Sequence, residues 1–184
     1  MAVAYTNIHK EIIELCKEGD SKSQYQLYKL YSRAMYNICY RMMNNREEAE
    51  DMLQESFTEA FMKLDTFRYE SAFGMWLKRI VINKCINSLK RKKADLILTD
   101  NMPDIDHTNN GEDDLDTLTL QVRDVQKAME KLPQGYRVIF SLYLLEGYDH
   151  SEIAQILGVS ESTSKSQYSR ARQKVKELLI KAGS

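Results

Sequence analysis

Three groups of side chains in this 184-residue chain have types and spacings that could do chemistry. The first is acidic: Glu47, Glu48, Glu50, Asp51, Glu55 and Glu59, with Gln54 between them. Asp51 and Glu55 stand four residues apart and share one helix face. Carboxylates at that spacing can hold two metals in a helical bundle, coat a solvated face, or dock a basic partner. The segment has no histidine, and His9, His107 and His150 are scattered along the chain. Metal therefore ranks last.

The second group is basic and aromatic together. Phe67, Arg68, Tyr69, Phe73 and Trp76 lead into Lys78, Arg79, Lys84 and the run Lys90, Arg91, Lys92, Lys93. Aromatic rings beside cations suit single-stranded or melting DNA, through stacking and phosphate neutralisation. Asn83 and Asn87 lie one turn apart, where amides can read a base. Each residue alone has a plainer reading, with Phe73 and Trp76 as core and the cationic run complementing a helix dipole.

The third group lies near the C-terminus. Asp149 with Glu152 is a capping box, Gly158 supplies a left-handed turn, Val159 plugs the corner and Ser160 caps a long final helix. Ile153, Leu157 and Val159 form a small core there. That is helix-turn-helix chemistry. The front of the last helix carries Ser162, Thr163, Ser164, Ser166, Gln167 and Ser169, and its cations are Lys165, Arg170, Arg172, Lys174 and Lys176. Small polar donors ahead of cations suit base edges plus phosphates. The alternative is an αα-hairpin with a solvated outer face.

These groups need helices to position them, and the composition supplies helices. Hydrophobic residues make up 43% of the chain, and seven Gly with two Pro leave few turn-makers, which argues against a many-stranded fold. Leu27, Leu30, Tyr31, Ala34, Met35, Ile38, Cys39 and Met42 follow the helical i, i+3, i+4 rule. A second helix follows Asn45, with Ala49, Leu53, Phe57, Ala60, Phe61 and Leu64 on its apolar face. A third runs over about 71–93, and a short helix over 8–17 packs across them. Further helices are expected near 117–131 and 134–146, with Gly147 ending the latter.

Charge divides the chain in three. Residues 1–93 hold 16 Lys and Arg against 12 Asp and Glu, residues 94–116 hold eight acids and no base, and residues 117–184 hold 10 against 7. The middle piece, with Pro103 and Gly111, cannot bury a face and reads as an extended, flexible acidic linker. The fold expected is all-α: two small helical domains, 1–93 and 117–184, joined by that linker. No apolar run reaches the roughly 18 residues of a membrane span. The N-terminus lacks a signal-peptide pattern, and Cys16, Cys39 and Cys85 read as core thiols of a reducing, cytoplasmic setting.

With these residues in view, the chain resembles a sigma factor of the extracytoplasmic-function type. AEDMLQESFTEAFMKLDTFRYESAFGMWLKRIVINKCINSLKRKK is similar to that family's second region, and LPQGYRVIFSLYLLEGYDHSEIAQILGVSESTSKSQYSRARQKVKELL to its fourth. Tyr69 stands where the family often has glycine, and Ser164 where it usually has valine, so that Tyr168 must anchor the last helix. The resemblance implies a protein without catalysis or cofactor that binds RNA polymerase core, at the clamp helices and flap, and promoter DNA. It also implies an anti-sigma partner and a monomeric free state. Asp51, Gln54 and Glu55 would dock the polymerase clamp helices. Arg68, Tyr69, Glu70, Ser71, Ala72, Lys78, Asn83 and Asn87 would act on the −10 element and its melting. Lys165, Ser166, Gln167, Ser169, Arg170 and Arg172 would read the −35 element, and the linker would thread the RNA exit channel. The rivals are a dimeric helix-turn-helix regulator, for which no ligand or phosphoacceptor domain is found, and a helical di-metal enzyme.

Overall fold

Residues 9–92 and 122–183 are described by the structure, a computed structural model. The chain divides into two compact units, Met1–Ala94 and Asp95–Ser184. The expected linker, 94–116, lies outside the described residues, as do the first residues of the helix expected from 117.

Unit one contains α1 (Lys10–Lys17), α2 (Ser21–Met43), α3 (Arg46–Met62), a 3₁₀ turn (Leu64–Thr66) and α4 (Phe73–Arg91). Short polar side chains set the helix starts. The Asp20 carboxylate accepts the Ser23 N–H at 2.7 Å, and the Asn45 side chain accepts the Glu48 N–H at 3.1 Å. Each such cap stabilises its helix by about 1 kcal/mol. Asn44, at φ 54°, turns the chain between α2 and α3. Helix α2 packs against α1, α3 and α4, burying Leu27, Met35, Ile38, Cys39 and Met42. Leu30 and Ala34 depart from the expected apolar face and are exposed, Leu30 by 47%. The buried stripe of α2 slants through Met35, Cys39 and Met43, which leaves those two on its solvent edge.

All three cysteines are buried free thiols. Burial pushes the Cys16 thiol up to about 11. The Cys85 thiol is held far above its ordinary range by a hydrogen bond with Cys39 and then by burial. All three are core residues, as expected.

Unit two contains α5 (Val122–Glu130), α6 (Gln134–Phe140), α7 (His150–Leu157) and α8 (Glu161–Gly183). One helix was expected over 134–146, but α6 gives way to a π turn, Ser141–Leu145, where the Glu146 N–H donates to the Ser141 carbonyl at 3.0 Å. The wider turn keeps Ser141 and Leu142 buried and stacks Tyr143 on His150 at 4.5 Å. Gly147, at φ 76°, ends it. The core joins Ala128, Met129, Leu132 and Phe140 to Ala171, Val175 and Leu179 of α8. Buried Arg137 donates to the Leu132 carbonyl at 2.9 Å, satisfying the chain just beyond α5. Among the described residues, no helix is long and apolar enough to cross a membrane.

Candidate functional site

Helix α4 owes its shape to an inner face of Phe73, Leu77, Val81, Cys85 and Leu89, all buried. That burial turns a polar stripe outward: Arg79, Asn83, Asn87 and Lys90 are exposed, at i, i+4, i+8 and i+11. They span about 17 Å at about 1.5 Å per residue. Half-buried Trp76 lies on the same stripe, its ring 5.4 Å from Phe67 and 5.5 Å from Phe73. Lys78 is not brought to it. Helix geometry places Lys78 about 140° around the axis from Asn83, and it is half-buried. Trp76, Arg79 and Lys90 belong to the basic and aromatic group but not to the residues that the resemblance assigned to the −10 element; their spacing from Asn83 puts them on its stripe.

The loop before α4, 68–72, takes its form from Tyr69, which sits in left-handed backbone at φ 60°. Only glycine occupies that region freely. Arg68 and Glu70 are exposed, while Tyr69 is half-buried, its ring 4.7 Å from that of Phe67.

On α3 the expected docking residues Asp51, Gln54 and Glu55 are all exposed. Glu55 and its neighbours are more constrained. Lys84 of α4 reaches Glu59 at 2.7 Å and Glu55 at 3.7 Å, and Lys92 reaches Glu48 at 2.7 Å. Hydrogen bonds from Lys63 and Lys84 hold the Glu59 carboxyl below its ordinary range. The acidic helix is thus stitched to the basic one on one side and open on the other. Beside the open side lies a shallow cavity of about 400 Å³, lined by Tyr28, Arg33, Tyr36, Leu53 and Gln54 among others. Among the described residues, no three His, Cys, Asp or Glu gather as a metal site would require.

In unit two the capping box is complete. The Asp149 side chain accepts the Glu152 N–H at 2.8 Å, and the Asp149 N–H donates to the Glu152 carboxylate at 3.0 Å. Gly158 takes φ 75°, and the Ser160 hydroxyl accepts the Thr163 N–H at 3.0 Å to start α8. The inner face of α8 is Ser164, Gln167, Ala171, Val175 and Leu179, each buried. Gln167 therefore leaves the DNA-reading set. It is 3% exposed and lies about 160° around the helix from Ser169, so it cannot reach a groove that Ser169 faces. Lys165, Ser166 and Ser169 are exposed, and Arg170 and Arg172 are partly so. Lys165 pairs with Glu161 at 2.7 Å.

Ser164 is fully buried, and its hydroxyl meets His150 Nδ1 at 2.9 Å. Tyr168 packs 5.9 Å from Phe140 and 4.3 Å from Tyr143, as its anchoring role requires. A small residue that would otherwise leave α8 underpacked is thus offset by a polar link and an aromatic stack.

Comparison with known proteins shows the family to which the chain belongs. The family description "Sigma-70 region 2" matches residues 27–94, and "Sigma-70, region 4" matches residues 123–175. The ECF RNA polymerase sigma factor SigW of Bacillus subtilis is 30% identical over 180 residues, 92% of this chain and 96% of SigW. The chain belongs to the ECF RNA polymerase sigma factors. It is also 32% identical over 171 residues to the ECF sigma factor SigM of Mycobacterium tuberculosis, covering 92% of this chain and 83% of that protein. Among solved structures, sigma factor RpoE of Bartonella quintana, in complex with the anti-sigma factor NepR, shares the fold. Its TM-score is 0.55 at 24% identity, with 85% of this chain and 96% of that chain covered. CnrH, in complex with the cytosolic domain of CnrY, does so at TM-score 0.53 and 21% identity, covering 95% and 97%. As an ECF sigma factor, the chain works with RNA polymerase in promoter-specific transcription initiation.

Proposed function

We propose how the work divides among the surfaces. Asn83, Asn87 and the 68–72 loop act on the −10 element once its strands separate. Lys165, Ser166, Ser169, Arg170 and Arg172 of α8 read the −35 element in the major groove. Asp51, Gln54 and Glu55 dock the polymerase clamp helices, and the flap takes unit two. The acidic piece 94–116 joins a first domain, 1–93, to a second, 117–184. The observation that carries this division is the stripe on α4. Two amides and two cations share one exposed face about 17 Å long, opposite an apolar face that packs on α2 and α3. Amides fit base edges and cations fit phosphates, and an aromatic ring at one end fits an unstacked base.

The chain itself does no catalysis in this reading; the polymerase makes the bonds. It acts in the cytoplasm, where the polymerase is, and an anti-sigma protein is a partner of the kind that RpoE has in its complex. The test is transcription with purified core polymerase on a duplex promoter. The full chain should start RNA at a defined site, and Asn83→Ala should lower permanganate reactivity of −10 thymines while duplex −35 binding stays unchanged. Normal melting with Asn83→Ala would remove Asn83 from the −10 surface.

A further inference from the structure

The 68–72 loop is tied to the first helix by contacts that its own sequence does not foretell. The Tyr69 hydroxyl donates to the Glu14 carboxylate, across 55 residues of chain. Lys17 closes the group: its Nζ lies 3.3 Å from Glu14, 3.4 Å from the Phe67 carbonyl and 4.8 Å from the centre of the Tyr69 ring. Lys10 approaches the same ring at 5.5 Å. Phe67, 3% exposed, anchors the loop from the other side. Glu14 meets these groups as a carboxylate, held below its ordinary range first by the Tyr69 hydrogen bond and then by Lys17.

The backbone explains why such a tie is needed. A tyrosine at φ 60° sits in backbone that only glycine adopts without strain. A loop of five residues has little of its own to hold that shape. The ring and hydroxyl of Tyr69 supply it from outside, because both ends of the side chain are engaged by α1. From this we infer that Glu14 is a positioning residue for promoter opening, holding the 68–72 loop, through Tyr69, in the shape that receives an unpaired −10 base. The inference rests on the proposed role of the loop and adds a residue distant from the DNA surface. Arg68 and Glu70, the exposed residues on either side of Tyr69, are aimed by the tie.

The experiment uses full-length chain with saturating core polymerase on a duplex promoter, read by permanganate reactivity at the −10 element. Tyr69→Phe keeps the ring and removes the hydroxyl, and Glu14→Leu removes the acceptor. Each should lower opening roughly tenfold, the scale of one lost charge-assisted hydrogen bond. The double variant should lose no more than either single, because both act through one contact. Glu14→Gln keeps an oxygen acceptor and should retain most of the opening. Core affinity and duplex −35 binding should match the parent in all four, which a general folding defect would not allow.

Losses that multiply in the double variant would overturn the inference, as would a Glu14→Gln variant as poor as Glu14→Leu. An Arg68→Ala control separates the two layers of argument. Reduced opening with Arg68→Ala but parental opening with Glu14→Leu and Tyr69→Phe refutes the tie and leaves the role of the loop intact. Parental opening in every variant refutes the loop's role and the inference with it. If Glu14→Leu melts near the working temperature, Glu14→Ser replaces it in the same cycle.

Discussion

The start of α8 and the 68–72 loop, two of the parts proposed to meet promoter DNA, are held by contacts of very different range in sequence. Before α8, Asp149 and Glu152 cap each other three residues apart, Gly158 turns the chain, and Ser160 caps Thr163. The start of α8 is held within one helix-turn-helix, with His150 meeting Ser164 fourteen residues on, while its buried face packs on α5 and α6. The loop instead depends on Glu14 and Lys17, 55 and 50 residues away from the groups they bind. The difference suits two tasks. A helix that enters an existing groove can be prebuilt from local parts. A loop that must hold a base absent from the duplex needs a fixed shape that its own few residues cannot enforce. The contrast also identifies where each surface is vulnerable.

The largest effect should come from removing the support beneath α8. Phe140 is 2% exposed and stacks 5.9 Å from Tyr168. Phe140→Ala should destabilise unit two by about 3–5 kcal/mol, through lost burial and the cavity left behind. Urea denaturation followed by amide signals from α8 would measure it. If α8 kept its stability, local caps alone would hold the helix, and the contrast with the loop would be sharper than drawn here. An equal loss in unit one would instead break the division into two units.

The same contrast explains what could be read from sequence. The capping box, Gly158 and the start of α3 at Asn45 were legible because each is a pattern within a few residues whose chemistry does not depend on the rest of the fold. Gln167 was misplaced because it lies in a run of polar residues and its type suits base reading. Yet its spacing, three after Ser164 and four before Ala171, puts it on the inner face, and period was the better guide. Leu30 and Ala34 show the reverse. Their period marks them as core, but which flank of α2 is covered depends on where α1, α3 and α4 lie. The tie between Tyr69 and Glu14 had no local signal beyond a bulky residue where the family often has glycine. It became visible only with the positive φ and the packing of α1.

A middle-sized effect tests whether the prebuilt helix reads bases or only binds charge. Lys165 and Ser169 face one way on α8, whereas Lys174 lies about half a turn around from Lys165 and pairs with Glu177 at 3.1 Å. Lys165→Ala should cost about 1–3 kcal/mol at particular base pairs, changing which −35 sequences support transcription from a randomised library. Lys174→Ala should lower all promoters alike and reduce the salt slope by about one unit. A uniform loss with Lys165→Ala would make Lys165 a backbone contact and move the reading stripe toward Ser166 and Ser169.

The smallest effect is one of acidity, and it should release the two surfaces in a definite order. His150 stacks on Tyr143 and bonds Ser164, and its pKa is lowered from the ordinary 6.5, first by burial and then by Lys165, against Glu161 and Asp149. The unfolded chain therefore takes up this proton first. The stability linked to neutral His150 is complete above about pH 6.5 and declines as pH falls through that value toward the lower folded pKa. In unit one the groups with lowered pKa are carboxylates, among them Glu14, held by Tyr69, and Glu59, held by Lys63 and Lys84. Their contribution is present above their ordinary 4.5 and is lost only below it. Between about pH 6.5 and pH 5, amide exchange should thus quicken around α7 and the start of α8, while the 68–72 loop and α1 keep their protection. His150→Gln should abolish that early step and leave the later one in place. An early step that persists in His150→Gln would assign it to another group, and simultaneous loosening of both regions would show that the tie at Glu14 is weaker than its geometry implies.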